Sequence, residues 1–515
     1  MPRAPGGPDF DVAFLLGSGA AGDHDGRMMP NREVCLRAVT SRDARFDGEF
    51  FTAVRTTGIY CRPSCPAITP RAENTTFYPS AAAAQDAGFR ACRRCRPDTV
   101  PGSAAWDARA DTVARAMRLI GDGLVDREGV AGLAGRLGYS VRQLQRSLAG
   151  ELGASPLALA RAQRAHTARV LLETTTMRHG EIAFAAGFGS VRSFNDAIRA
   201  AFDLTPGELR ARLRRGAPPG ARLGAVRLRL PFRRPFDPGN LFGHLSATAV
   251  PGVEEWRDGA YRRTLALPHG AGIVALAPRP GHIDATLWLA DPRDLTPAIG
   301  RCRRLLDLDA DPVAVGQVLG ADPVLRPLVE AVPGRRVPRS ADGDEFAVRA
   351  VLGQQVSTAA ARTQTGRLVR RLGEPVTDPA GGLTHLFPPS AAFAGLAPED
   401  IPGPRSRART LIELADALAA GRLDLGPGAD RAEARARLGA LRGIGPWTVE
   451  LVAMRALGDP DAFPSGDLGV VRAAERLGLE LSAGGAERWR PWRSYATQYL
   501  WAVLDHPINR IPEAS

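Results

Sequence analysis

The sequence predicts a multidomain α+β protein. Its 515 residues are too many for one hydrophobic core, because domains usually hold about 100 to 200 residues. Apolar residues recur at helical spacing over residues 105–213 and again from about residue 340. Between them, residues 223–330 alternate apolar and polar positions as the strands of an antiparallel sheet do. A short segment rich in cysteine precedes all three.

The charge balance favours a nucleic-acid partner. The formal net charge is +12 and the sequence pI is about 10.3, which suits a polyanion. A compositional bias would give the same numbers, since all 67 basic residues are arginine and the chain contains no lysine. No run of about 18 apolar residues predicts a membrane span, and residues 13–16 are too short for a signal peptide. We therefore expect a cytoplasmic protein.

Residues 1–30 are rich in Gly, Pro and Asp and are predicted to be disordered. Four cysteines then follow in two close pairs, Cys61 with Cys65 and Cys92 with Cys95. This spacing predicts one tetrahedral Zn²⁺ held by four thiolates. From spacing alone, a zinc ribbon that only stabilises a small domain is the favoured interpretation. Cys35 and Cys302 have no paired partner in sequence and are interpreted as ordinary thiols.

The residues around these cysteines change that interpretation. "DGEFFTAVRTTGIYCRPSCPA" and "ENTTFYPSAAAAQDAGFRACRRCRPD" closely resemble the N-terminal domain of the Ada methylation-response family, here residues 31–102. The resemblance implies that Cys61 takes a methyl group from a methylphosphotriester in DNA. A metal-bound thiolate stays nucleophilic at neutral pH, and Arg62 stands beside it to meet phosphate. The reaction would be used once per molecule, because the methylated sulfur has no route back.

Residues 105–213 contain a two-fold repeat. Each unit has a helix, a glycine-containing turn (137–139 and 187–189) and a second helix capped by Ser140 or Ser190. The repeat resembles the AraC-type double helix-turn-helix domain, although a plain helical bundle is the alternative. The resemblance places base-reading side chains early in each second helix. They are Arg142, Gln143, Arg146, Arg192 and Asn195. Residues 214–222 are predicted to be a linker.

The last part combines a sheet domain over 223–335 with a helical domain over 336–510. "LGALRGIGPWTVELVAMRAL" predicts two helices joined by a hairpin at Gly443 and Gly445, whose amides can approach a DNA phosphate. Asp467 follows in "SGDLGV". With "FAVRAVLGQQVSTAAA" and "RWRPWRSYATQYLWAVL", these segments resemble the 3-methyladenine DNA glycosylase II (AlkA-type) family of the helix-hairpin-helix superfamily.

That resemblance assigns roles. Asp467 would stabilise the sugar oxocarbenium ion and orient or deprotonate water, although a helix cap is its structural alternative. Trp447, Trp492 and Tyr495 would form the base pocket, and we expect Trp501 in the core. Gln355 would fill the gap that the flipped base leaves. Leu451 stands where some relatives place an aromatic residue.

Two absences in the sequence narrow the chemistry. Because the chain has no lysine, a lysine Schiff base is excluded and a monofunctional glycosylase is expected. Cys302 lies in "GRCRRL" rather than in a Pro-Cys-His motif, so O6-alkylguanine repair is not expected.

The complete fold prediction therefore has four domains. They are a small zinc-bound α/β domain, an all-α double helix-turn-helix domain, an antiparallel α+β domain and an α-helical helix-hairpin-helix glycosylase domain. The predicted function joins methylphosphotriester sensing, transcription activation and excision of alkylated purines. The alternatives are a regulator whose glycosylase half is inactive and a DNA-binding protein with an inert zinc cluster. The expected partners are alkylated double-stranded DNA, promoter DNA and RNA polymerase, at the nucleoid.

Overall fold

A computed structural model of the chain describes residues 29–97, 112–214, 225–481, 484–504 and 506–512. The segments predicted to be a disordered start and a linker lie almost entirely outside these residues. Within the described part of the chain, no helix is long and apolar enough to cross a membrane.

A four-stranded sheet organises the cysteine-bearing segment. Its strand order is β3-β1-β2-β4, and β2 and β4 run parallel, so that their ends lie side by side. The strands and their two helices are α1 (Arg32–Ser41), β1 (Phe51–Val54), β2 (Ile59–Cys61), β3 (Thr75–Tyr78), α2 (Ala81–Asp86) and β4 (Arg90–Ala91).

Within residues 112–214 the structure describes seven helices, and they contain both predicted helix-turn-helix units. Ser140 and Ser190 each accept a hydrogen bond from a backbone N–H three residues on, as expected for N-caps. Gly138 and Gly187 turn the chain with φ of 77° and 84°. The helices are α3 (Thr112–Gly121), α4 (Leu124–Leu137, interrupted at Gly129), α5 (Val141–Leu152), α6 (Pro156–Thr174), α7 (His179–Ala185), α8 (Val191–Phe202) and α9 (Pro206–Arg214).

The predicted antiparallel sheet is present and has five strands in the order β5-β9-β8-β7-β6. Sequence alternation identified four of them but not the short β6. The elements of this domain are β5 (Ala225–Pro231), α10 (Gly239–Ala247), β6 (Glu254–Arg257), β7 (Ala260–Leu267), β8 (Gly270–Arg279), β9 (His282–Leu289) and α11 (Leu295–Leu305).

The C-terminal domain is helical, and its helices pack around a core separate from that of the sheet. The helices are α12 (Pro312–Ala321), α13 (Arg326–Ala331), α14 (Gly343–Leu352), α15 (Thr358–Leu372), α16 (Ser390–Ala394), α17 (Arg405–Ala419), α18 (Arg431–Ala440), α19 (Pro446–Arg455), α20 (Leu468–Leu477) and α21 (Arg493–Ala502). The predicted hairpin joins α18 to α19.

The two halves of the chain pack against each other. One apolar core continues from the cysteine-bearing sheet through the middle helices to the five-stranded sheet. The buried hydroxyls of Thr167 and Thr296 lie 2.7 Å apart across this junction, and Arg115 donates to the carbonyl of Gly428 at 2.8 Å. Nothing in the sequence pattern indicated this contact.

Candidate functional site

The four paired cysteines meet at the ends of two neighbouring strands. Cys61 ends β2, and Cys92 follows β4 with its backbone N–H donating to the Tyr60 carbonyl at 2.9 Å. A turn from Arg62 to Cys65, closed by a 3.1 Å hydrogen bond, brings the second thiol back to the first. Short strands thus place the two cysteine pairs, which are separated by 26 intervening residues, at one point.

The geometry fits a tetrahedral zinc. All four Sγ atoms lie within 4.8 Å of one another, and Zn–S bonds of about 2.3 Å require sulfur separations of about 3.8 Å. Contacts with the thiols of Cys65, Cys92 and Cys95 raise the pKa of the Cys61 thiol, so the cluster needs a cation to hold all four as thiolates. Cys61 and Cys65 are partly exposed, whereas Cys92 and Cys95 are buried.

The two remaining cysteines stand apart from this cluster, as expected. Cys35 and Cys302 are both buried in apolar surroundings, and burial raises the pKa of each thiol to about 12. Such thiols are protonated and unreactive at neutral pH.

A buried carboxylate braces the loop of Cys61 and Cys65. Asp47 accepts hydrogen bonds from the backbone N–H and hydroxyl of Ser64 at 3.0 and 2.6 Å, and the Arg62 guanidinium lies 3.4 Å from the oxygen that the hydroxyl reaches. Arg233 of the sheet domain donates to the Asp47 carbonyl at 3.2 Å. Arg62 is therefore near the thiols, as predicted, but is tied to a carboxylate rather than free for phosphate.

Two further arginines of the cluster are also bound. Arg93 contacts the carbonyl and carboxylate of Asp203 at the end of α8, and Arg96 pairs with Glu173 of α6 at 2.8 Å. The zinc-binding segment is therefore attached to the helix-turn-helix domain by charge pairs. The exposed Arg94 makes no such pair within the described residues.

The residues expected to read DNA bases are placed on the surface. Arg142, Gln143 and Arg146 of α5 are exposed, as are Arg192 and Asn195 of α8. Gln143 accepts from the Ser140 N–H at 3.1 Å and completes a capping box, which restrains it as a base contact.

Asp467 is both a helix cap and a cavity residue. One carboxylate oxygen accepts from the N–H groups of Gly469 and Val470, at 2.9 and 3.1 Å, and from the indole N–H of Trp501 at 2.8 Å. The other oxygen accepts from the indole N–H of Trp447 at 3.0 Å. Four donors therefore fix the carboxylate, so the cap and the functional interpretation are compatible.

The hairpin and the glutamine loop lie next to each other. Gln354 donates to the Gly443 carbonyl at 3.2 Å and to the Thr448 hydroxyl at 3.1 Å. Gln355 follows, exposed and in the left-handed region at φ 57°, which is uncommon for a residue other than glycine. Gly443 and Gly445 are exposed at the start of α19.

A cavity of about 330 Å³ opens beside Asp467. Trp447, Leu451, Asp467 and Trp501 form one part of its wall. Its volume is at the lower end of the range for small-molecule sites, and the N–H edges of two indoles hold a carboxylate at its wall. This arrangement can stack a planar base and place an anion beside its sugar.

The tryptophans are distributed differently from the prediction. Trp447 lines the cavity, but Trp492 and Tyr495 are core residues, 9% and 1% exposed, with their rings in edge contact at 5.7 Å. The Tyr495 hydroxyl donates to Asp307 at 2.9 Å. Trp501, which we expected in the core, stands at the cavity wall instead. The cause is its helix face, because Trp501 lies on the side of α21 that meets α20.

A buried ionic network forms the inner wall and was missed in the sequence. Glu254 binds Arg349 at 3.0 Å, and Arg263 binds Glu345 at 2.5 Å. Burial by itself would raise the pKa of Glu254, but Arg349 and Arg263 lower it. Arg455, the last residue of α19, also faces the cavity. Trp447, Leu451 and Arg455 follow one another at intervals of four residues, and this helical spacing is the signal that could have identified Arg455.

Four protein families match successive parts of the chain. They are the metal binding domain of Ada (residues 34–98), a helix-turn-helix domain (133–212), the AlkA N-terminal domain (227–342) and the HhH-GPD superfamily of base excision DNA repair proteins (348–487).

Individual relatives follow the same division. The probable bifunctional transcriptional activator/DNA repair enzyme AlkA of Mycobacterium tuberculosis is 58% identical over 485 residues, which cover 93% of this chain and 98% of the relative. DNA-3-methyladenine glycosylase 2 of Escherichia coli is 33% identical over 53% of this chain and 95% of its own length. The bifunctional transcriptional activator/DNA repair enzyme Ada of Escherichia coli is 39% identical over 26% of this chain and 36% of its own.

Proposed function

The chain belongs to the family of bifunctional transcriptional activator/DNA repair enzymes, and from this premise we propose which residues carry each activity. It has a zinc-binding Ada-type domain, a helix-turn-helix domain and a DNA glycosylase of the AlkA type, and its partner is DNA. Membership in this family favours an active glycosylase half over a regulator that has lost excision.

We propose that Cys61 is the methyl acceptor. Exposure limits the choice to Cys61 and Cys65, since the other two thiols are buried, and the resemblance to the Ada domain selects Cys61. When bound, zinc keeps the four thiols deprotonated at neutral pH. The Cys61 sulfur attacks the methyl carbon of a methylphosphotriester, the methyl–oxygen bond breaks, and its electron pair remains on the phosphate as a diester anion.

The charge change couples this transfer to DNA binding. Four thiolates around a divalent ion leave a formal charge of −2, and methylation of one sulfur leaves −1. A centre that is less negative repels phosphate less. Because charge pairs join the cluster to α6 and α8, we propose that the methylated domain strengthens promoter binding by the helix-turn-helix units.

Peptide mass spectrometry tests this assignment. The zinc-loaded protein is incubated with DNA that carries labelled methylphosphotriesters, and each cysteine peptide is then examined. The expected result is one methyl group on Cys61 and none on the buried Cys35 and Cys302, which serve as internal controls. Methylation of Cys65 instead would move the acceptor, and label found only on DNA would make the cluster structural.

We propose that Asp467 drives base excision, and the convergence of Trp447, Asp467 and Trp501 at one cavity supports this most strongly. An alkylated purine carries positive charge and departs with the electron pair of the N-glycosidic bond. The carboxylate stabilises the oxocarbenium ion left on the sugar, and water adds to C1′ as its proton passes to Asp467 or solvent. Without lysine in the chain, cleavage through a lysine Schiff base is not available, so the enzyme is monofunctional.

The neighbouring residues have supporting roles in this proposal. Trp447 and Trp501 stack the flipped base, Gln355 fills the gap in the duplex, and backbone N–H groups of the exposed hairpin at Gly443 and Gly445 hold a phosphate at the start of α19. Arg142, Gln143, Arg146, Arg192 and Asn195 meet promoter DNA. Activation further implies contact with RNA polymerase, and work on chromosomal DNA places the protein at the nucleoid.

Single-turnover excision of 3-methyladenine from methylated duplex DNA tests the glycosylase assignment. Asp467→Asn keeps the shape and loses the charge, so the rate is expected to fall by about 100- to 1000-fold. Asp416→Asn, an exposed carboxylate of α17, is the matched control and keeps the wild-type rate. Equal rates for Asp467→Asn and wild type would remove Asp467 from the mechanism, and no excision by wild type would favour the inactive alternative.

A further inference from the structure

The cavity is long in one direction, and its two ends differ chemically. Trp447, Leu451 and Arg455 lie on one face of α19 at four-residue spacing, so the cavity follows that helix for about 12 Å of rise. The outer end holds the Asp467 carboxylate, bonded to Trp447 and Trp501. The inner end holds the guanidinium of Arg455.

Arg455 differs from Arg339 and Arg349 of this wall in having no salt-bridge partner among the described residues. Arg349 binds Glu254 and Glu345, and Arg339 binds Asp307 at 2.8 Å. Arg455 is 5% exposed and its buried Nε has no acceptor. Its guanidinium makes no hydrogen bond or salt bridge with any residue in the described ranges.

The surroundings of Arg455 hold its plane but leave its N–H edge open. The guanidinium carbon lies 5.1 Å from the centre of the Phe346 ring, a cation–π contact that engages the face of the group. Burial, and then the charge of Arg349, lower the pKa of Arg455 to about 9, so it remains protonated at neutral pH. Burial and the charges of Arg455 and Arg349 lower the pKa of nearby His244, which keeps that ring neutral and adds no competing charge.

A buried cation with an open N–H edge requires an acceptor from the ligand. If the sugar lies at Asp467 and the ring stacks on the indoles, the far edge of a purine points along α19 toward Arg455. In guanine that edge carries the O6 carbonyl beside N7, the pair of acceptors that an arginine fork matches best. In adenine the same edge presents an amino group, a donor that faces donors.

We propose that Arg455 is a base-recognition residue that makes this glycosylase prefer methylated guanines over methylated adenines. The proposal rests on the proposed glycosylase function, since it concerns the same cavity. Among the methylated guanines, 3-methylguanine offers both O6 and N7 to the guanidinium and 7-methylguanine offers O6 alone. Both bases and 3-methyladenine are cations when linked to the sugar, so their charge does not distinguish them.

Competition within one substrate tests the proposal. DNA treated with a labelled methylating agent contains 3-methyladenine, 3-methylguanine and 7-methylguanine, and the release rate of each base is measured for wild type and Arg455→Met. The variant is expected to lower the release of 3-methylguanine relative to 3-methyladenine by about tenfold or more, with a smaller change for 7-methylguanine. Arg455→Lys keeps the charge but loses the fork and is expected to be intermediate.

Arg362→Met is the matched control. This arginine also lines the cavity, but its Nε already donates to the Ala249 carbonyl at 2.7 Å, so the ratio of released bases is expected to stay at the wild-type value. An equal fall in all three rates on Arg455→Met would show a merely structural role and overturn the proposal, as would an unchanged ratio. If wild type releases none of the three bases, the proposed glycosylase function fails instead.

Discussion

The four-cysteine cluster and the Asp467 cavity, which we propose act on the same kind of damaged DNA, are held together in opposite ways. The cluster lies at the ends of β2 and β4, which are only three and two residues long, and its four thiols would be held together by the metal that they share. At the cavity, four N–H donors hold one carboxylate: two backbone groups of α20 and the indoles of α19 and α21. In the cluster, the sulfur of Cys61 that would react is also one of the four atoms that would bind the metal.

In the proposed function, that difference explains why one site would be used once and the other could turn over. Methylation of the Cys61 sulfur would alter a ligand on which the local structure depends, so the product would be a changed protein, which suits a signal. Asp467 would only stabilise charge and handle a proton, and it would return to its starting state after each base leaves. The proposal therefore assigns signalling to the site that reaction alters and repair to the site that reaction leaves unchanged.

Removal of the metal gives the largest expected difference between the two sites. Structural zinc contributes on the order of 10 kcal/mol in small domains, so a chelator is expected to abolish methyl transfer to Cys61 and to unfold the cysteine-bearing segment. Excision of 3-methyladenine is expected to change less than about twofold, because among the described residues the four cysteines are the group arranged to hold a metal and they lie outside the Asp467 cavity. Parallel assays of both activities before and after chelation, with zinc added back as the control, measure this. A matching loss of excision would show that the cavity depends on the cluster.

The hairpin tests whether backbone conformation stabilises the glycosylase half as the metal would stabilise the cysteine-bearing segment. Gly443 has φ 84°, and a Cβ there would overlap the Thr410 hydroxyl. Gly443→Ala is therefore expected to cost about 2 to 3 kcal/mol of unfolding free energy, measured by denaturant unfolding. Gly445 has φ −87° and open space around it, so Gly445→Ala keeps that stability and weakens only DNA binding. Equal stability of the two variants would contradict the comparison.

A third difference is sensitivity to pH. Burial, followed by the charge of Asp342, raises the pKa of Asp344 from 3.8 to about 6. The folded state therefore binds this proton more tightly than the unfolded state does, and the glycosylase half gains stability as pH falls from about 7 to about 4. Asp344→Asn is expected to remove this dependence and add about 2 kcal/mol at pH 7. Thermal unfolding across this pH range tests this prediction, with Asp416→Asn at an exposed position as the control. If Asp344→Asn leaves the pH dependence of stability unchanged, Asp344 is not its source.

The smallest predicted effect separates the two tryptophans of the C-terminal helix region. Trp501→Phe removes the N–H that reaches Asp467 but keeps an aromatic ring, so kcat is expected to fall by about tenfold. Trp492 is buried and its indole nitrogen has no partner in the described structure, so Trp492→Phe is expected to alter stability and leave kcat unchanged. Measured kcat and unfolding midpoints for both variants test this. A fall in kcat for Trp492→Phe alone would restore the prediction made from sequence.

Much of the organisation could be predicted from residue patterns because it depends on local physics. Cysteine spacing predicted the metal, and serine caps and glycine turns predicted the helix-turn-helix units. Alternation of apolar and polar residues identified four of the five strands. The absence of lysine limited the chemistry directly. These features need only a few neighbouring residues, and the assignment of families came from the resemblance of the motifs to known families.

Tertiary structure alone decided which side chains meet. Asp467 reads as a cap in sequence, but only folding brings Trp447 and Trp501 onto it from helices 20 and 34 residues away along the chain. Trp492 and Trp501 are both aromatic residues in one segment, and the face of α21 that packs inward determines which of them reaches the cavity. The proposed recognition role of Arg455 depends on the fold, which buries its guanidinium without a carboxylate as salt-bridge partner among the described residues. The sequence alone therefore predicted the structural elements and the chemistry of the candidate residues, whereas long-range packing determined which of these residues act together.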